Sequence, residues 1–434
     1  MISCDLIIKG KYVLPMNSEL DVIKDGLVVV SGNKIVNIGR QSDLENKYKA
    51  DEVIDVGNSI VMPGLINTHT HAAMVYFRGL ADDLPLKEWL EDYIWPAEAK
   101  YVKQDFVKKA SRLACLEMIK SGTTCFNDMY FFEEETASVS EEAGIRAIIG
   151  ETILNFPTPS YKTPADTIKK TEELINNFSD NELISVAFAP HSIYTCSKDI
   201  LEKVKSISGN KKLMHIHVSE TKKEVDDCKK EHGKSPVEYL DKIGFLDKNV
   251  IAAHSVWLSQ NDLEIYRKRG IKVSHNPISN MKLASGIMSA AEMIDNNIIV
   301  GLGTDGAASN NTLDLFSDIR TCALLHKVNK LEPTATNARQ VIGMATINGA
   351  RTLGLEKKIG SLEKGKQADI ITVNLNKPHL TPIYNPYSHL AYCVNGEDVN
   401  DVIINGKVVM RNREVKTIDE EKVLAEARKF RIKN

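Results

Sequence analysis

The chain has no C-x-x-C pair, no apolar run long enough to cross a bilayer and no surplus of either charge, and each absence removes a class of protein. Its seven cysteines fall at positions 4, 115, 125, 196, 228, 322 and 393, an odd number without close partners. That pattern speaks against a disulfide framework and predicts reduced thiols, hence a cytoplasmic protein. Basic and acidic residues number 55 and 58 and are interspersed to a formal charge of −3. Such a mixture offers no basic stripe to nucleic acid and no polybasic patch to a membrane. No segment approaches the roughly 18 apolar residues of a membrane span. The opening Met-Ile-Ser-Cys-Asp-Leu-Ile-Ile-Lys-Gly carries charge too early for a secretory signal. Low-complexity tracts and solenoid periods are also missing. A soluble protein acting on a small molecule is the remaining expectation, with a homo-oligomer left open.

What is present is a rhythm. At 434 residues the chain exceeds what one core usually organises, so a large domain with a smaller companion is expected. From residue 64 onward eight short apolar runs occur: Leu65 to His69, Thr123 to Asp128, Ile145 to Gly150, Leu183 to Ala189, Leu213 to His217, Val250 to His254, Ile271 to His275 and Ile298 to Asp305. Helical patterning follows them, as in Asp105 to Ser121, Thr163 to Phe178, Ser259 to Arg269 and Leu313 to Asn329. Eight strand-then-helix units predict an α/β fold, a (β/α)8 TIM-like barrel over 63–359. Residues 1–62 and 360–434 read as short alternating strands, with Asn405-Gly406 as a hairpin turn, and are expected to pair into one small β-sandwich.

The chemistry sits at the ends of these runs. In Pro63-Gly64-Leu65-Ile66-Asn67-Thr68-His69-Thr70-His71 the two histidines are spaced i, i+2, so on a strand both imidazoles face the same way. His217 and Asp305 close other runs and supply further donors. Three neutral imidazoles and one carboxylate suit a single borderline divalent metal, zinc first, with iron or manganese able to use the same donors, and leave a position open for water. His215 is also i, i+2 from His217 but lies one layer deeper and reads as a satisfied buried histidine. Glu220, three residues beyond His217, has the place of a proton carrier off the metal. His254 could orient a water of lowered pKa, and Asp305 could double as ligand and base. His275, beside Asn276-Pro277, is read as supporting or structural.

Four motifs resemble a known family: Pro-Gly-Leu-Ile-Asn-Thr-His-Thr-His at 63–71, His-Ile-His-Val-Ser-Glu-Thr at 215–221, Ala-Ala-His-Ser-Val at 252–256 and Gly-Thr-Asp-Gly-Ala-Ala-Ser-Asn-Asn at 303–311. The sequence is similar to the amidohydrolase superfamily, and within it to the 5-methylthioadenosine/S-adenosylhomocysteine deaminases. The resemblance implies a mononuclear centre on His69, His71, His217 and Asp305. It further implies Glu98 for the ribose hydroxyls, His191 for the nucleoside and Trp89 as an aromatic wall. Relatives with two metals place a lysine at the end of the fourth strand, where this chain has Ala189-Pro190-His191. The implied reaction is hydrolytic deamination at adenine C6 of a 5′-substituted adenosine, such as 5′-methylthioadenosine, 5′-deoxyadenosine, adenosine or S-adenosylhomocysteine.

One departure bears on the substrate. Relatives carry an arginine just past the third strand to meet a substrate carboxylate; here the chain reads Gly150-Glu151-Thr152, and no arginine occurs between Arg146 and Arg267. A carboxylate facing a carboxylate would disfavour S-adenosylhomocysteine unless Lys162 compensates. Two rivals stand beside this expectation: deamination or dechlorination of another heterocycle (guanine, cytosine or an s-triazine), and a barrel that binds metal and nucleoside without turnover. The P-C-x-x-C element of cytidine-deaminase zinc sites is absent.

Overall fold

The structure, a computed structural model, describes residues 1–17, 22–209 and 211–432. Eight strands form the barrel: Leu65–Thr70, Thr123–Asp128, Arg146–Ile149, Ile184–Val186, Met214–Val218, Val250–His254, Lys272–His275 and Ile299–Leu302. Within each half of the ring, neighbouring strands pair in parallel. Their buried runs read as continuous apolar segments because helices cover the outer face and side chains fill the inside. The halves join where Phe188 bridges Met214 and the His215 amide donates to the Phe188 carbonyl at 2.8 Å. On the other side the first strand meets the segment just past the eighth: Asn67 Nδ2 donates to Thr304 Oγ1 at 2.8 Å, the Thr304 amide donates to Asn67 Oδ1 at 3.0 Å, and the Asp305 amide donates to the His69 carbonyl at 3.0 Å.

Two expected strands end early, for identifiable reasons. The eighth stops at Leu302 rather than Asp305, since Gly303 lies against its neighbours: a Cβ there would stand 2.4 Å from Asn276 Oδ1 and 2.9 Å from His69 Cβ. The third breaks at Gly150 and resumes as Thr152–Ile153, which pairs with Ala189–Pro190, the continuation of the fourth. Four of the outer helices, Gln104–Lys120, Pro164–Asn177, Gln260–Arg269 and Leu315–Lys330, fall where the three-four periodicity predicts them. Local capping sets their bounds: Ser259 and Asp262 form a reciprocal capping box, and Gly270 at φ +71° ends the same helix. Among the described residues no helix is long and apolar enough to cross a membrane.

The chain ends meet in a nine-stranded sheet, joined where Ser59–Pro63 runs antiparallel to Ile370–Asn374. Val28, Ile35, Ile54, Ile370 and Ile403, from five strands, share one buried cluster, so the sheet wraps on itself as a sandwich. Asn405 and Gly406 take φ of +50° and +77°, the left-handed pair that a two-residue hairpin requires. Sandwich and barrel are bolted by a buried fork: Arg146 Nε and Nη2 donate to Asp369 at 3.0 and 3.1 Å, and the Asn405 amide donates to the same carboxylate at 2.8 Å. Removing one partner strands the other charge in a dry site, which costs about 3–5 kcal/mol. Asp369→Ala should therefore lower the urea midpoint by that equivalent, with Arg146→Ala equally damaging.

Candidate active site

The C-terminal ends of the barrel strands converge on a cavity of ≈ 380 Å³, with His71, His217, Glu220, His254 and Asp305 in its wall. His69 sits beneath, fully buried. His69 Nε2 and His71 Nε2 lie 3.4 and 3.3 Å from Asp305 Oδ1. Ligand atoms of His69, His71 and Asp305 cluster within 4.8 Å of one another, as do those of His69, His217 and His254.

Hydrogen bonds fix which ring nitrogen faces the centre. His71 Nδ1 meets the Met129 carbonyl, and His217 Nδ1 meets the His191 carbonyl at 2.8 Å. A carbonyl only accepts, so both Nδ1 atoms carry a proton, and in the neutral rings that a metal requires both Nε2 atoms are bare. His254 Nδ1 is held by Asn280 Oδ1 at 2.8 Å, which leaves its Nε2 3.8 Å from Glu220 and 3.9 Å from Asp305. His69 Nδ1 pairs with His215 Nε2 at 2.9 Å, while its Nε2 is buried with no protein hydrogen-bond partner. A buried orphan nitrogen beside a carboxylate and two bare imidazole nitrogens is what a divalent ion would satisfy, so the residues fit one.

The amidohydrolase family profile matches residues 60–409. The chain belongs to the amidohydrolase family. This amidohydrolase is 47% identical to the 5-methylthioadenosine/S-adenosylhomocysteine deaminase of Thermodesulfovibrio yellowstonii, over 97% of each chain. It is 50% identical to the 5′-deoxyadenosine deaminase of Methanosarcina acetivorans, over 98% of this chain and 97% of that one. Among solved structures, a zinc-bound adenosine deaminase from Xanthomonas campestris superposes with a TM-score of 0.96 at 37% identity, covering 98% of each chain.

Charge in the amidohydrolase pocket follows from burial and from neighbours. Burial lowers the pKa of His69 to about 4 and of His191 to about 3, and takes His217 well below its usual value. These rings are therefore neutral at neutral pH, the state a metal needs. Burial would push the Asp305 carboxyl up, but the imidazoles crowded around it, His69 first and then His254 and His71, hold it well below the usual range. For His254 the balance reverses: burial works downward, yet the carboxylates of Glu220 and Asp305 raise it. Glu220 is itself raised by burial, so it holds a proton more readily than a surface glutamate.

The remaining expected residues also line the cavity: Trp89 on a turn of π-helix, Glu98 on the helix Trp95–Tyr101, and His191 past the fourth strand. Burial pushes Glu98 up to about 7, against the pull of the neighbouring Tyr130 phenol. Two strand-end residues stand apart from the cavity. Asp128 accepts from Thr70 Oγ1 and the Ala72 amide at 2.6 and 2.7 Å, which holds the turn around His71. His275 pairs with His326 of the outer helix Leu315–Lys330 at 3.0 Å, on the side away from the cavity. His215 is the satisfied buried histidine expected, between His69 and Asn127.

Glu151 requires a correction. Expected to face the substrate, its carboxylate instead turns away and accepts from the Phe132 and Glu133 amides at 3.1 and 2.9 Å and from the Ser160 hydroxyl. It thereby satisfies the N-terminus of the helix Glu133–Ala143, an attractive site for a carboxylate. Lys162 is exposed and does not line the cavity, so it compensates nothing. Sequence reasoning also missed Asn280 and Ser279, whose hydroxyl donates to Asp305 Oδ2 at 2.6 Å. Both follow Asn276-Pro277 on a short helix, and only the Asn-Pro turn signal hinted at it.

Proposed function

We propose that this amidohydrolase removes the 6-amino group of adenosines whose 5′ substituent is small or uncharged, 5′-deoxyadenosine and 5′-methylthioadenosine first. His69, His71, His217 and Asp305 would hold one divalent ion, zinc by its donor set and by likeness to the zinc-bound relative. When bound, the ion supplies the Lewis acidity that makes water nucleophilic near neutral pH. Asp305 takes the proton from the attacking water and His254 orients it. Glu220 delivers a proton to the ring nitrogen beside C6. That protonation makes the purine electrophilic enough to accept the new C6–O bond. Asp305 passes the proton it took to the exocyclic amine, the C6–N bond breaks, the C6 hydroxyl returns its proton to Glu220, and ammonia and the inosine analogue leave. Glu98 accepts the ribose hydroxyls, while His191 and Trp89 border the nucleoside. Seven free cysteines fit a reducing compartment such as the cytoplasm. We also take residues 63–359 as the catalytic domain and 1–62 with 360–434 as its companion.

The observation that carries the 5′ preference is the lining of the cavity away from the histidines. Leu86, Leu90, Trp95, Phe156, Pro157 and Pro159 form that wall, and no lysine or arginine is among the described lining residues. An amino-acid carboxylate at the 5′ end would lose water there without gaining a cation. In a substrate panel followed by ammonia release, kcat/KM should be at least about 10-fold higher for 5′-deoxyadenosine than for S-adenosylhomocysteine, the equivalent of ~1.4 kcal/mol. Glu98→Gln should raise KM for the nucleoside about 10-fold, through weakened hydrogen bonds to the diol. Highest kcat/KM with S-adenosylhomocysteine would overturn the preference. Indifference to Glu98→Gln would point to a free base.

A further inference from the structure

The loop that carries Glu220 is gripped by a side chain the chemistry above leaves idle. Thr221-Lys222-Lys223-Glu224 has the Thr-x-x-Glu pattern of a capping box, in which the glutamate bonds the backbone N–H of its own N-cap residue. Only half of that box forms. Thr221 Oγ1 accepts from the Glu224 amide at 3.1 Å, capping the helix Lys222–His232. The Glu224 carboxylate, however, reaches past Thr221. Its Oε1 accepts from the Ser219 amide at 2.9 Å and its Oε2 from the Glu220 amide at 2.8 Å.

Those two amides belong to a turn with little freedom. Ser219 is held at φ +52°, a left-handed conformation that serine rarely adopts unaided. The Ser219 carbonyl accepts from the Val256 and Trp257 amides at 3.1 and 3.0 Å, and the Val218 carbonyl accepts from Ser255 at 3.0 Å. The Glu220 loop is thus joined to the loop after His254, where His254 and Ser255 are also left-handed at φ +69° and +51°. Glu224 is buried, 7% exposed, yet does not line the catalytic cavity. It therefore bears on the reaction through the backbone of the Glu220 loop, with its charge also felt by His254.

We propose that Glu224 is a positioning residue for the proton carrier: its two-pronged hold on the Ser219 and Glu220 amides sets where the Glu220 carboxyl stands relative to His254. This rests on the reading of Glu220 as the proton carrier. Glutamine at 224 keeps the shape but offers one acceptor oxygen for two amides, so one prong is lost.

The test compares Glu224→Gln, Thr221→Ala and Glu220→Gln in the full-length metal-loaded protein. It records kcat and KM for 5′-deoxyadenosine, metal content and thermal midpoint. Displacing a reacting group by about 1 Å costs on the order of 100-fold, so Glu224→Gln should lower kcat by about 10–100-fold while KM and metal content stay within about twofold. Thr221→Ala, which removes the cap alone, should lower the thermal midpoint and leave kcat intact. Full kcat in Glu224→Gln with Glu220→Gln inactive would overturn the positioning role alone. So would a parallel fall of kcat, metal content and melting temperature, which marks an ordinary structural cap. An active Glu220→Gln would remove the proton-carrier assignment and this inference with it.

Discussion

Glu220→Gln should lower kcat for 5′-deoxyadenosine by about 10²–10⁴-fold, the range a positioned acid–base group contributes. Glutamine keeps the volume and can still accept from Ser285, whose hydroxyl lies 3.5 Å from Glu220 Oε1, but it has no proton to give. Burial raises the glutamate's pKa and so favours the form that can deliver the proton. In a dry pocket, attack on an unprotonated purine would leave negative charge on the ring without a partner. The loss should fall on kcat with KM little changed, since the interaction is made only as the ring is attacked. Steady-state kinetics with metal content measured on the same sample checks this; a variant retaining more than a tenth of the wild-type rate would rule Glu220 out as the proton carrier.

Exhaustive chelation should abolish turnover, and added zinc should restore it. His217→Ala should weaken metal binding and resist that rescue at equal zinc. The expectation rests on tautomers. With Nδ1 of His71 and His217 tied to backbone carbonyls, their Nε2 atoms face the centre, and His69 Nε2 is buried without a hydrogen-bond partner. An ion that satisfies all three also stabilises the fold, by about 4 kcal/mol when present at 1,000 times its dissociation constant. The stripped protein should therefore melt lower, a readout independent of turnover. Full activity after chelation, verified by elemental analysis, would remove the metal from the reaction.

The fold was legible because its signals are local. Eight apolar runs and the three-four periodicity between them are properties of short segments, and the barrel strands lie within one or two residues of most of them. Where strands ended early, at Leu302 and at Gly150, the cause is the approach of Asn276 and Ala189 from elsewhere in the chain, invisible in the run itself. The site was legible for a related reason. Strand alternation forces His69 and His71 to one face, and the C-terminal rim of a barrel gathers whatever closes its strands. Asp128 and His275 met the same positional criterion yet do not line the cavity, because strand-end position does not say which way a side chain turns.

Direction is what the tertiary structure decided. Glu151 stands where the family resemblance leads one to expect an arginine, and proximity alone made it a repulsive neighbour for a charged substrate. Two amides at a helix N-terminus and the Ser160 hydroxyl draw its carboxylate away from the cavity instead. The apolar wall then carries the 5′ preference that electrostatic repulsion does not. Glu224 is the same lesson in reverse, a capping pattern whose carboxylate is diverted to the loop of Glu220. By itself the sequence determined the barrel, the strand-end donors and the family, since each depends on periodicity or on contiguous motifs. Only the folded chain decided the tautomers, the turn of Glu151 and the hold of Glu224. A polar side chain takes the nearest unsatisfied donor or acceptor, and those are supplied by segments far apart in sequence.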